Sequence, residues 1–122
     1  YNLSKRILFL SVREDAISIL KASDIVVMSS NFEGFGLAAV EGMAAGKPVI
    51  ASDVEGLSNI VEGAGLLFEP HNEKDLAAKI RLLMEDQLFY KSVSEKCKQR
   101  SEKCDVSVMG NRYNQLYQSL CR

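Results

Sequence analysis

The residues best suited to chemistry lie in one stretch, Ser29-Ser30-Asn31-Phe32-Glu33-Gly34-Phe35-Gly36-Leu37-Ala38-Ala39-Val40-Glu41. Before it comes Ile25-Val26-Val27-Met28, β-branched and apolar, which reads as a strand. After it the chain runs from Leu37 to Ala45 in Ala, Leu and Met, which favour helix. The stretch therefore leaves the C-terminal end of a strand and enters a helix, at the edge where open parallel sheets bind ligands. Gly34 and Gly36 allow positive φ and close approach of a ligand to the backbone. The unpaired N–H groups of the first helical turn, with the helix dipole behind them, make an anion site suited to phosphate. Glu33 precedes the turn and Glu41 lies within the helix. Carboxylates beside a phosphate cradle suit hydrogen bonds from hydroxyls, as on a sugar or a ribose.

Taken alone, a Gly-x-Gly is a weak signal, and these residues could equally form a tight turn beside an exposed helical Glu41. A sharper rival is the G-x-G-x-x-A form of the dinucleotide fingerprint, matched by Gly34-x-Gly36-x-x-Ala39, with Asp53 at the end of the next expected strand as the ribose acid. Against it, Ser29 to Glu33 separate the glycines from their strand, and an earlier apolar run precedes this one. A glycosidase-like use of Glu33 and Glu41 would need both carboxyls to flank one bond. His71 is the only histidine, so multi-histidine metal sites are excluded, as is a Ser-His-Asp triad without it. No metal ligands are assigned. The three cysteines, Cys97, Cys104 and Cys121, match no zinc or CxxC spacing and suit reduced thiols in a cytosolic protein. A net charge of -1, from 15 basic and 16 acidic residues, gives no case for a nucleic-acid partner. No apolar run is long enough for a membrane-spanning helix.

Around the stretch, short apolar runs alternate with helical patterns. Ile7-Leu8-Phe9-Leu10 reads as a strand, Glu14 to Ala22 as a helix, Pro48-Val49-Ile50-Ala51 as a strand, Leu57 to Glu62 as a short helix and Leu66-Leu67-Phe68 as a strand. Gly46 is placed to end the helix that holds Glu41. This rhythm predicts an α/β fold with a parallel sheet of about four strands, and the wholly apolar strands predict helices on both faces. The remainder reads as helical: a helix capped by Asn72 with the stripe Leu76, Ile80, Leu83 and Met84, then helices over about 88–104 and 106–120. The heavily charged segment 88–103 reads as a solvated helix face. Length suits one domain over residues 1–122.

At this point the residues resemble a known family. The run from Ser30 to Ser52, with its E-x7-E pair Glu33 and Glu41 and its Met43-Ala44-Ala45-Gly46-Lys47-Pro48-Val49-Ile50-Ala51-Ser52 continuation, resembles the signature of glycosyltransferase group 1, the retaining GT-B enzymes of family four. The likeness continues through Asp53-Val54-Glu55-Gly56-Leu57, Gly65 to Pro70 and Asp75 to Ile80, and reaches back to Phe9-Leu10 and Ala22-Ser23-Asp24. The resemblance implies a Rossmann-like, partial C-terminal domain of a GT-B enzyme that moves a sugar from a nucleotide sugar, UDP- or GDP-linked, to an acceptor with retention. It implies that Glu33 contacts the donor sugar at the catalytic centre and that Glu41 holds the ribose hydroxyls. The backbone at Gly34, Phe35, Gly36 and Leu37 would approach the sugar or diphosphate, and the loop after Leu10 would lie against the base. It implies no tightly bound metal or cofactor.

Departures from the family pattern set further expectations. The basic residues that neutralise the diphosphate and the acceptor-binding N-terminal domain lie upstream in the family, and a chain opening on Tyr1 is expected to belong to something longer. Such a fragment is expected to be inactive alone, and its parent cytoplasmic or peripheral at the inner membrane face. Ser11 stands where Gly is usual. Glu55-Gly56-Leu57-Ser58-Asn59 replaces the usual Gly-Gly-x-Pro-Glu and brings a carboxylate near a phosphate site. Tyr113, Leu116, Tyr117 and Leu120, in the tail from about residue 88 to 122, would face either a local core or the N-terminal domain. A non-catalytic interaction module is the third reading.

Overall fold

The computed structural model describes residues 3–120, so Cys121 lies outside the described residues. The order of elements is α1 (Ala16–Ala22), β1 (Val26–Met28), α2 (Leu37–Ala44), β2 (Val49–Ser52), α3 (Leu57–Val61), β3 (Leu66–Phe68), α4 (Glu73–Glu85), α5 (Gln87–Glu102) and α6 (Val106–Leu120). The strands form one parallel sheet in the order β1-β2-β3, with Val26 opposite Val49 and Ile50 opposite Leu66.

All four residues of β2 are buried. Because successive strand side chains point to opposite faces, both faces of the sheet are covered at its central strand, as the unbroken apolar run requires, while Val27 on the edge strand β1 is exposed. α2 and α3 pack on the strands and on each other, while α4 packs on β2 and β3. Met43, Ile50, Leu57, Val61 and Leu83 are fully buried among them. Gly42 allows α2 to lie directly on β1, since a Cβ there would sit 3.0 Å from Val26.

The expected strand Ile7–Leu10 does not form. The segment is irregular, and Phe9 is 91% exposed. An apolar run becomes a strand only when a neighbour pairs its backbone and layers cover its faces, and among the described residues nothing does either. Among the described residues three strands are present where about four were expected. The first helix starts at Ala16 rather than Glu14, and Asp15 at its N-cap makes no capping bond, its two carboxylate oxygens accepting from Arg13 at 2.6 and 2.8 Å. Asn72 does cap α4, its side chain accepting from the Asp75 N–H at 3.0 Å. Gly46 takes φ 74° past the end of α2, as expected.

The charged segment 88–103 is more than a solvated face. Within α5, Val93, Cys97 and Ser101 are buried. Tyr90 donates to the Asp24 carbonyl at 2.7 Å, just before β1. Ser94 donates to the Gly46 carbonyl at 2.6 Å, before β2. Arg100 donates to the Ile60 and Glu62 carbonyls at 3.1 and 2.9 Å, before β3. One helix thus straps the N-terminal edge of the sheet, tying the entry to each strand in turn, while its Lys and Glu residues face water. In α6 the apolar side is exposed: Tyr113, Leu116, Tyr117 and Leu120 make no local core, and the two tyrosine rings stack on each other.

Candidate functional site

At the C-terminal edge, β1 ends at Met28 and the loop through Glu33 and Gly34 leads to Gly36, which takes φ 79° at the N-terminus of α2. The Gly36 carbonyl accepts from the Ala39 and Val40 N–H groups at 2.9 and 3.2 Å. The N–H groups of Leu37 and Ala38 have no carbonyl a turn earlier in the helix, so they are free to meet an acceptor from outside. Glu33 is half-buried, and its side chain lies over Gly36. Glu41 is exposed one turn into α2. Gly34, Phe35 and Leu37 are exposed along the same turn.

A second loop pins the first. Gly56 takes φ 88°, and a Cβ there would collide with the Glu33 carbonyl. Leu57 packs so near Gly36 that a Cβ on that glycine would come within 2.8 Å of it. The loop after β2 is therefore stacked on the turn that carries Glu33, and both glycines are needed for that approach. The buried Ser52 hydroxyl donates to the Ser30 carbonyl, joining the ends of β2 and β1. Glu55, the carboxylate expected near the phosphate site, is exposed.

Two further residues meet Glu41. Ile17 and Lys21 of α1, with Ala44 and Ala45, line an open cavity of about 180 Å³ against it. Sequence reasoning did not single them out, although their four-residue spacing places them on one helix face. Leu10, expected beside a nucleotide base, is exposed in irregular chain. Asp53 accepts from the Ser58 hydroxyl at 2.6 Å and its N–H donates to the Phe68 carbonyl at 2.8 Å. One oxygen of its carboxylate is thereby engaged in the local turn. Among the described residues no three His, Cys, Asp or Glu side chains cluster as metal ligands.

The comparison with known proteins decides between the readings: residues 1–103 match the family model of glycosyl transferases group 1. The chain belongs to this family. The dinucleotide reading of Gly34-x-Gly36-x-x-Ala39 falls with that match. An N,N'-diacetylbacillosaminyl-diphospho-undecaprenol alpha-1,3-N-acetylgalactosaminyltransferase of Campylobacter jejuni is 34% identical over 111 residues, covering 89% of this chain and 30% of its own. Alr3699/HepE of Anabaena, solved with UDP, superposes with a TM-score of 0.89 at 30% identity, over 96% of this chain and 33% of its own. The C-terminal domain of LpcC, a group 1 glycosyl transferase family protein of Francisella tularensis, superposes at 0.72 with 30% identity, over 82% of this chain and 53% of its own. The group 1 chain described here has the Rossmann-like fold of part of a GT-B C-terminal domain. It spans less than a third of the length of the curated relatives it matches, 30% and 31% of the first two. No helix among the described residues is long and apolar enough to cross a membrane.

Proposed function

We propose that this chain is the donor-binding part of a retaining glycosyltransferase, and that the turn from Glu33 to Leu37 holds a nucleotide sugar. The observation that carries the reading is the left-handed Gly36 at the head of α2, with Glu33 folded over it. That arrangement offers first-turn N–H groups to a diphosphate and a carboxylate to the sugar on the same side. Glu41, beside the cavity formed with Ile17 and Lys21, holds the ribose hydroxyls. Helix dipole and N–H groups stabilise the leaving diphosphate, a fixed arrangement of the kind that dominates many transition states. Uridine is the favoured base, because Alr3699/HepE, solved with UDP and with UDP-glucose, matches this chain so fully. The remaining basic charge and the acceptor site come from an N-terminal domain, towards which the exposed side of α6 packs. A cytoplasmic enzyme at a membrane surface fits the lipid-linked substrate in the name of the Campylobacter relative.

The test uses the complete enzyme. Glu41→Ala is expected to raise the Kd for UDP by roughly 10- to 100-fold, the effect of losing charge-assisted hydrogen bonds. Glu33→Ala is expected to lower kcat by about 100-fold with a smaller change in KM. Wild-type kinetics in both variants would overturn the assignment.

A further inference from the structure

Beside the donor turn lies an open cavity of about 210 Å³ that the reading above does not use. It spans the C-terminal ends of all three strands. Ser29 and Asn31 come from the loop after β1, Ser52 from the end of β2, and His71 from the loop after β3. Phe68 and Leu76 supply an apolar floor.

The loop that carries His71 is built in an unusual way. The Asn72 N–H donates to the Glu69 carbonyl at 3.1 Å, closing a turn with Pro70 and His71 at its two central positions. His71 takes φ 63°. Pro followed by a residue with positive φ is a type II turn, a geometry that calls for glycine at the second central position. An imidazole occupies that position instead, the one positive-φ residue of the described chain that is not glycine. The surrounding groups are already satisfied. Asn72 Nδ2 donates to Glu69 at 2.7 Å, and the Glu69 N–H donates to the Asp75 carboxylate at 2.9 Å. These bonds hold the loop rigid without using His71. No hydrogen bond within the described residues engages the side chains of Ser29, Asn31 or His71. An exposed side chain kept where the backbone favours glycine, at the lining of a cavity, is spent on something other than the fold.

We infer that this cavity is a saccharide subsite, in which His71 and Asn31 meet the hydroxyls of one pyranose and Phe68 and Leu76 lie beneath its apolar face. The ligand class follows from the lining: hydroxyl, amide and imidazole groups and the Glu73 carboxylate beside apolar side chains, with no cluster of basic side chains for a second phosphate. The inference rests on the donor reading of the Glu33–Leu37 turn, because Asn31 belongs to that same loop. The sugar is either that of the donor or one from an acceptor, and the two are separable.

The labelled chain is titrated with UDP, UDP-glucose and methyl α-glucoside, with backbone amides, the Asn31 side-chain amide and the His71 ring observed by NMR. UDP alone is expected to move the amides of Gly34 to Leu37 and leave His71 in place. Movement of His71 and Asn31 with UDP-glucose assigns the subsite to the donor sugar, and movement with the glucoside alone assigns it to an acceptor. His71→Gly suits the turn, so it should hold Tm within about 2 °C of wild type or raise it. It is expected to weaken saccharide binding roughly tenfold. If neither sugar moves His71 or Asn31, or if the folded glycine variant binds as well as wild type, the subsite is refuted. A UDP response at Gly34 to Leu37 would then leave the donor reading standing, whereas sugar shifts at His71 without any UDP response would sink the donor reading alone.

Discussion

At the scale of single residues, the site depends on positions where the absence of a side chain matters as much as its presence. Gly56 is the strictest. Any Cβ there meets the Glu33 carbonyl, and its φ of 88° is unfavourable for other residues. Gly56→Ala is expected to cost about 2 kcal/mol, visible as a lower Tm, and to weaken UDP binding by displacing the turn that carries Glu33. A variant of wild-type stability and affinity would show that the two loops are not stacked as described. Cys97 makes the opposite case, a side chain whose surroundings silence it. Burial pushes its thiol above the ordinary cysteine range, outweighing the Val49 backbone contact and the Arg100 charge, which favour the thiolate. The folded state thus favours the neutral thiol. That contribution to stability is complete below the unfolded thiol's own pKa and is lost as pH rises through the raised folded value. Iodoacetamide at pH 8 is expected to leave Cys97 unmodified in the folded chain and to alkylate it once urea opens the core, as read by peptide mass spectrometry. Rapid native labelling would contradict the packing of α5.

At the scale of elements, much of the architecture was legible because its signals are local. The β-branched run before Met28, the Asn72 cap and the Gly46 stop each follow from chemistry within a few residues, and each appears in place. The turn from Glu33 to Leu37 was legible for the same reason. What was hidden depends on distant partners. Ile7–Leu10 carries a strand's composition, but pairing is a property of two segments, and among the described residues no neighbour pairs with it. Ile17 and Lys21 look like ordinary helical residues until α1 and α2 come together around Glu41. The strap role of α5 was masked by its charge, since Tyr90, Ser94 and Arg100 reach carbonyls 66, 48 and 38–40 residues away. Arg100→Met keeps helix propensity and length but removes every bond to the end of α3. It is expected to lower stability by about 2 kcal/mol, measured by urea unfolding, with UDP binding unchanged at saturating fold. An unaltered midpoint would show that the strap holds by its apolar face alone.

At the scale of the whole molecule, the two ends of the sheet have separate duties. The C-terminal edge carries Glu33, the left-handed Gly36 and the His71 cavity, while the N-terminal edge is closed by α5. Helices α1 to α4 join these edges through a core that includes Met43, Ile50 and Leu83. The family match ends at residue 103, one position past α5, so the matched unit closes with the sheet and its strap. That coincidence has a consequence for the order of events on the ribosome. The strands emerge first, and the bonds that close their entry come from residues 90 to 100. At about 5–20 residues per second, the stretch between the end of β2 and Arg100 takes roughly 2–10 s to synthesise. For that interval the nascent sheet has no helix across its lower edge, and its commitment to the native arrangement waits on the last part of the unit to be translated.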